Sequence, residues 1–225
     1  MASTSSNTVR PDRRLARRRQ TIEEALDAAV VIMGEVGVGG LSMSEIARRL
    51  GMRQPSLYKY FPSLHAVYDA LFARGLERSG AAVRAAMRAA DEQGQGGVAT
   101  IRAGARAAVR WAVENTALAQ LLYWRPVPGF APAAATFAVS VRQMEEMRAE
   151  FAEAARAGLL HPDAASAGAQ RLFTVVLSGV ISQQLANQPG ADYDSGIFTS
   201  LTDAALDMFF ARYTSSGGTD ADPGP

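Results

Sequence analysis

Five side chains close together have the chemistry to read a polyanion: Gln54, Ser56, Tyr58, Lys59 and Tyr60. Glutamine can bond an adenine edge through two atoms, serine is tolerant in what it pairs with, and tyrosine and lysine reach phosphate oxygens. Ser42, Ser44, Arg53 and Pro55 complete the candidate DNA-contacting set. Other chemistry is sparse. His65 and His161 are isolated, and no His/Asp/Glu cluster has the spacing of metal ligands. Ser178 has no nearby histidine, so no nucleophile–base pair is visible. The expectation is no catalytic residue, no metal, no cofactor and no enzyme activity.

The elements around those five residues can present them. Ser42 and Glu45 form a capping box, which starts a helix. Ile46, Ala47 and Leu50 give that helix one apolar face. Gly51 ends it, and Pro55 suits the first turn of a second helix, where its missing N–H costs nothing. Leu57 and Phe61 then point inward and leave the polar set outward. Helix, glycine turn and short helix make the plan of a helix-turn-helix DNA reader. An ordinary helical hairpin gives the same pattern. Upstream, Ile22, Leu26, Ala29, Val30, Met33 and Val36 form the stripe of a supporting helix over 19–37. Gly37, Gly39 and Gly40 read as its turn, because no strand precedes them and no Lys-Ser/Thr follows.

Residues 21–72 resemble the DNA-binding domain of the TetR family of bacterial transcriptional regulators. The resemblance lies in Leu41-Ser42, Ile46-Ala47, Leu50-Gly51-Met52 and Leu57-Tyr58-Lys59-Tyr60-Phe61, in order and spacing. Gln54-Pro55-Ser56-Leu57-Tyr58 is similar to the start of the recognition helix in the family's tetracycline-responsive founder. Two positions depart from the pattern. Arg53 stands where a helix-capping serine is common, and Leu64-His65 replaces the usual Lys-Glu.

Composition fits a DNA reader at one end. The net charge is +1, yet residues 1–62 carry ten Lys/Arg against six Asp/Glu, and the remainder carries a net negative charge. Lys59 is the single lysine. The absence of cysteine suits a reducing cytoplasm, and no apolar run is long enough to span a membrane. Residues 1–18, with Arg10, Arg13, Arg14, Arg17 and Arg18, read as a disordered arm. That arm either adds phosphate contacts or is a solvated tail. Residues 19–64 are the DNA-binding domain, 65–213 a ligand-binding and dimerisation domain, and 214–225 a disordered tail.

Beyond Pro62-Ser63 the pattern stays helical. A long fourth helix runs to about 90, and Asp-Glu-Gln-Gly-Gln-Gly-Gly forms a loop at 91–97. Helices follow over about 98–115, around 118–124, over about 133–157, from near Pro162 to about 188, and over about 195–213. Prolines make 125–132 a loop. The fold class is therefore all-α, a three-helix DNA-binding domain followed by a larger helical domain. Residues 105–185 more loosely resemble one regulatory domain type of the same family, which implies a small-molecule effector.

Trp111, Tyr123, Trp124, Phe130, Phe137, Met144, Met147, Phe173 and Ser178 are candidate linings for an apolar or aromatic effector. Plain core is the competing reading for each aromatic. The last two helices are apolar on more than one face, so one face calls for a partner. Val176, Val180, Gln184, Leu201, Ala205 and Met208 are the candidate homodimer contacts. The resemblance implies a repressor released from a palindromic operator by its ligand. The rival readings are an effector-independent DNA-binding protein and a small all-α enzyme.

Overall fold

A computed structural model describes residues 9–214. Among the described residues there are nine α-helices and no strand. Helices α1 (Val9–Val36), α2 (Met43–Arg49) and α3 (Gln54–Leu57) form the N-terminal module. The long α4 (Leu64–Glu92) leads into α5 (Gly97–Glu114), α6 (Thr116–Tyr123), α7 (Ala134–Arg156), α8 (Ala167–Asn187) and α9 (Thr202–Ala211).

Three boundaries differ from the sequence expectation. The arm expected to be disordered over 1–18 is helical from Val9 onward, while residues 1–8 lie outside the described residues. Alanine, leucine and arginine are strong helix formers, and no glycine or proline interrupts 13–33, so the packed helix propagates backward. Helix α8 starts at Ala167 rather than Pro162. Pro162–Ala165 is a separate 3-10 turn, and Ser166 Oγ caps α8 by accepting from Ala169 N at 3.1 Å. Helix α9 starts at Thr202, after a 3-10 turn at Thr199–Leu201. Of the expected tail, residues 215–225 lie outside the described residues.

One apolar core crosses the domain boundary expected at 64/65. Leu26, Ile32 and Met33 of α1, Ile46 of α2 and Leu57 of α3 are contiguous with Val67, Tyr68 and Leu71 of α4 and with Trp111 and Leu118 beyond. A second core at the far end stacks Phe151, Phe173, Phe209 and Phe210, with ring centroids 5.1–6.3 Å apart. Three arginines four residues apart on α5 tie down the C-terminal end. Arg102 meets Asp207 at 2.7 Å, Arg106 meets Asp203 at 2.7 Å, and Arg110 meets Asp194 at 2.8 Å.

Polar links reinforce the joint between α4 and the N-terminal module. Tyr68 donates its hydroxyl to Val38 O at 2.6 Å, and burial pushes its phenol up. The Arg74 guanidinium is 7% exposed and joins Asp27 at 2.6 Å and Glu23, both on α1. The two carboxylates remain mostly exposed. The asymmetry fixes an order of costs. In Glu23→Gln/Asp27→Asn a buried cation loses its charge partners, and the expected loss is about 3 kcal/mol or more. In Arg74→Met the freed carboxylates rehydrate, and the expected loss is nearer ~1 kcal/mol. Urea unfolding of the two variants tests this order; a costlier Arg74→Met would mean the buried charge is not what stabilises the joint.

Candidate nucleic-acid interface and effector cavity

Local rules build the α2–turn–α3 unit. Ser42 Oγ accepts from Glu45 N at 3.2 Å, so the expected capping box supplies the N-cap of α2. Gly51 adopts φ 64°, which a glycine takes without strain. Arg53 occupies the N-cap of α3 and makes no side-chain cap, with Pro55 in the first turn. Leu57 is fully buried and anchors α3.

Glu45 organises the surroundings. It accepts from Arg48 Nη2 at 2.6 Å and Arg49 Nε at 2.9 Å, and Arg49 continues to Glu35 on α1. Hydrogen bonds from these two arginines hold the Glu45 carboxyl down to about 2. That network locks α2, and the α3 stacked on it, to the supporting helix.

Most of the candidate DNA-contacting side chains lie on the surface at α2, α3 and the residues flanking them. Ser44, Arg53, Gln54, Pro55, Tyr58 and Lys59 are exposed, and Ser56 and Tyr60 are half-buried. Ser42 is half-buried and already engaged as the cap. Gln54 Nε2 donates to Tyr58 Oη at 3.4 Å, a long bond that a base edge can replace. Arg18, expected in a disordered arm, is instead helical and joins this surface. Arg18 of α1 lies over the Tyr60 ring at 5.6 Å and donates to Lys59 O at 3.4 Å. Forty residues of sequence separate the two, and only the backward extension of α1 brings them together.

A cavity of about 310 Å³ lies between α4, α6, α7 and α8. Tyr123, Met144, Met147, Phe173 and Ser178 line it as expected, with Phe72, Leu76, Leu122, Leu177 and Ile181. Gln170 and Thr174, on the same ridge of α8 as Ser178, also face it. Four expected residues lie elsewhere. Trp111 is buried in the core on α5. Phe130 folds down on the start of α4, with centroids 5.6 Å from Tyr68 and 6.4 Å from Phe72. Trp124 lines an outer cleft with Pro126 and Leu185. Phe137 is 42% exposed. Phe130 is folded down onto α4 by the proline loop, and Trp124 turns outward where that loop begins, whereas Trp111 and Phe137 sit on α5 and α7 with their rings on other faces.

Gln143 and Arg125 are among the lining residues that the sequence reading did not include. Arg125 has φ 46°, the single positive φ outside glycine among the described residues, a conformation that costs on the order of 1–3 kcal/mol. Nothing in the letters Trp-Arg-Pro announces it. Tyr123 makes no hydrogen bond through its hydroxyl among the described residues, and desolvation raises its phenol. Gln143 donates to Leu76 O at 2.8 Å and divides this cavity from a neighbour of about 370 Å³. The neighbour is more charged, with Arg84, Arg88, Asp91, Glu146 and Glu150 at its walls.

On the opposite side, Val176, Val180, Leu201, Ala205 and Met208 share one apolar groove with Val175 and Phe198. Val175 is 66% and Met208 79% exposed, so the groove leaves large apolar side chains in water. Gln184 is not part of that face. It is fully buried, donates to Gln188 O at 3.0 Å and accepts from Phe198 N at 2.9 Å and Thr199 N at 3.2 Å. A buried amide must satisfy its hydrogen bonds locally, and here it ties the α8–α9 connection within one chain.

A helix-turn-helix joined through one long helix to a cavity-bearing helical domain defines a two-part class of bacterial regulators. The model for bacterial regulatory proteins of the tetR family matches residues 25–71, and that for the tetracyclin repressor-like C-terminal domain matches residues 101–208. The chain belongs to the TetR family. It is 38% identical over 56 residues to the tetracycline repressor protein class D of Escherichia coli, covering 25% of this chain and 26% of that one. It is 33% identical over 131 residues to the HTH-type transcriptional regulator Rv1816 of Mycobacterium tuberculosis, covering 56% of this chain and 55% of that one. The chain thus spans about a quarter to about half the length of these relatives. A solved protein of unknown function from Rhodococcus sp. RHA1 superposes with a TM-score of 0.69 at 26% identity, over 86% of this chain and 95% of that one.

Two outcomes follow from the geometry. The Glu45 carboxyl sits below the ordinary glutamate value of ~4.3, so its stabilisation is complete above that pH and is lost as pH falls through about 2. Melting followed from pH 5 downward should show that acid-side loss in the parent and less of it in Glu45→Gln; parallel curves would mean the arginine contacts are not maintained in solution. At Gly80 an added Cβ would lie 2.3 Å from Gln143 Nε2, so Gly80→Ala must push the amide aside. The lost hydrogen bond costs about 1 kcal/mol and the gain in helix propensity returns about as much. Thermal melting should move little while the divider between the cavities opens, read as higher uptake of the neutral dye Nile red; a large loss of stability would show that the helix backbones must part instead.

Proposed function

We propose that the chain is a homodimeric transcriptional repressor that binds a palindromic operator and leaves it when a small molecule enters the α4–α8 cavity. The observation that carries the reading is the double use of α4. Its Tyr68 and Arg74 hold the DNA-reading module, and its Phe72 and Leu76 wall the cavity. A ligand that prefers a wider cavity must move the helix to which the module is fixed. Near-complete release requires that preference to reach about 10⁴-fold, roughly 5.5 kcal/mol.

In this reading Gln54, Ser56 and Tyr60 read base edges, with Ser44, Arg53, Tyr58 and Lys59 on phosphates. The apolar α8–α9 groove takes a second copy, which sets the two α3 helices in successive major grooves, about 34–36 Å apart. The relatives named as a tetracycline repressor and an HTH-type transcriptional regulator support repression, action in the cytoplasm and the absence of catalysis. The rival, an effector-independent DNA binder, would have no use for a cavity whose polar ridge faces an empty space.

Selection of bound duplexes from a random pool, with and without a small-molecule library, tests the proposal. The expected result is a palindromic consensus that one compound abolishes; binding without a consensus and with steep salt dependence would favour the rival. Gln54→Ala should relax one base position by on the order of 1–3 kcal/mol, whereas Lys59→Ala should weaken every sequence alike and lower the salt slope by about one. Unchanged preference in Gln54→Ala would remove it from the base-reading set.

A further inference from the structure

We propose that the occupant of the α4–α8 cavity is an amphipathic organic carboxylate, its apolar body among Phe72, Leu76, Met144, Met147 and Phe173 and its charged end at Arg125 and Tyr123. This rests on the cavity being an effector site.

Charge inside the cavity points one way. Of its lining residues Arg125 carries the sole formal charge, and no aspartate or glutamate faces the space. A cationic head would find no counter-charge there. Arg125 joins none of the ion pairs among the described residues; its guanidinium lies over the Phe72 and Phe137 rings at 5.9 and 5.6 Å. The ring faces lie beside the cation, and its five N–H donors meet no acceptor among the described residues, on a side chain that is exposed. A carboxylate can take two of those donors in parallel, which no neutral group matches.

Two further observations aim at the same spot. The backbone at Arg125 is held in the left-handed region, at φ 46°, between Trp124 and Pro126, where an ordinary residue would relax. Tyr123, on the same wall, offers a hydroxyl with no protein partner to donate to. The neighbouring cavity provides the contrast. Its Arg84 already faces Glu146 at 3.7 Å, and Asp91 and Glu150 add negative charge, so it has no reason to select an anion.

Arg125 also opens the loop that ends against α4. Phe130 packs on Tyr68 and Phe72, and Ala133 N donates to Asp69 Oδ1 at 2.7 Å. A head group that draws in Arg125 therefore acts on the segment clamped over the N-terminal half of α4.

The test is titration calorimetry of the full chain, without DNA, using matched probes: decanoate, decan-1-ol and decyltrimethylammonium, then 4-butylbenzoate and 4-butylbenzyl alcohol. At least one carboxylate should bind about ten-fold or more tighter than its alcohol, and the ammonium should bind more weakly still. Arg125→Gln should erase the difference between acid and alcohol without lowering the melting temperature, and Tyr123→Phe should reduce it. Failure of both carboxylates, equal affinity for acid and alcohol, or an undiminished preference in Arg125→Gln overturns the proposal. The operator selection is read separately. A chain that binds an operator but no carboxylate loses this inference alone. One that binds carboxylate with no effect on operator binding keeps it and loses the effector-controlled repressor reading.

Discussion

One buried guanidinium decides which parts of this chain move as a unit. Arg74 projects from the middle of α4 into a space with almost no water and meets two carboxylates of α1. A charge so placed tolerates no loosening of its partners, because separation would leave it unpaired in a poorly solvated site. With Tyr68 bound to Val38 and Leu71 in the shared core, α1 through the first half of α4 form one rigid block. The α4 walls of the cavity, Phe72, Leu76 and Ser79, lie within and just beyond this block, where α4 also meets α5 and α7. In the proposed effector-controlled reading, movement of those walls would carry to the whole block.

That arrangement explains an apparent mismatch between domain and core. The chain reads as two domains because a proline and a serine cap separate α3 from α4. The apolar packing ignores that punctuation and runs from Leu57 and Phe61 into Val67 and Leu118. A regulator with two independently folded parts would need a separate coupling device. Here the core is continuous across that boundary, which would serve as the coupling in the proposed reading.

How much of this was legible depended on the range of the interactions. The reading face came directly from local rules: a serine cap, a glycine turn, an early proline and two inward apolar residues leave Gln54, Tyr58 and Lys59 no place but outside. The groove of Val176, Val180, Leu201 and Met208 was legible for the same reason, since helical period fixes which side chains share a face. The cavity was legible only in part. Tyr123, Met144 and Phe173 sit on regular helices, whereas Phe130 depends on how a proline-rich loop folds back, which has no periodicity. Gln184 was misplaced because a polar residue between apolar ones resembles an interface glutamine; its role is set by backbone amides fourteen and fifteen residues away. Arg125 was missed, and Arg18 was placed in a disordered arm, because a left-handed arginine and a contact across forty residues leave no mark in composition or spacing.

Lys59 draws a last consequence from the make-up of the chain. It is the one side-chain amine in 225 residues, and it stands exposed on the surface that would meet a duplex. Every other side-chain cation is a guanidinium, inert to acylating reagents at neutral pH. Among the side chains, amine acylation is therefore confined to Nζ of Lys59, and the shielding of that atom, read by mapping the modified residue, becomes a chemical gauge of whether this surface is occupied.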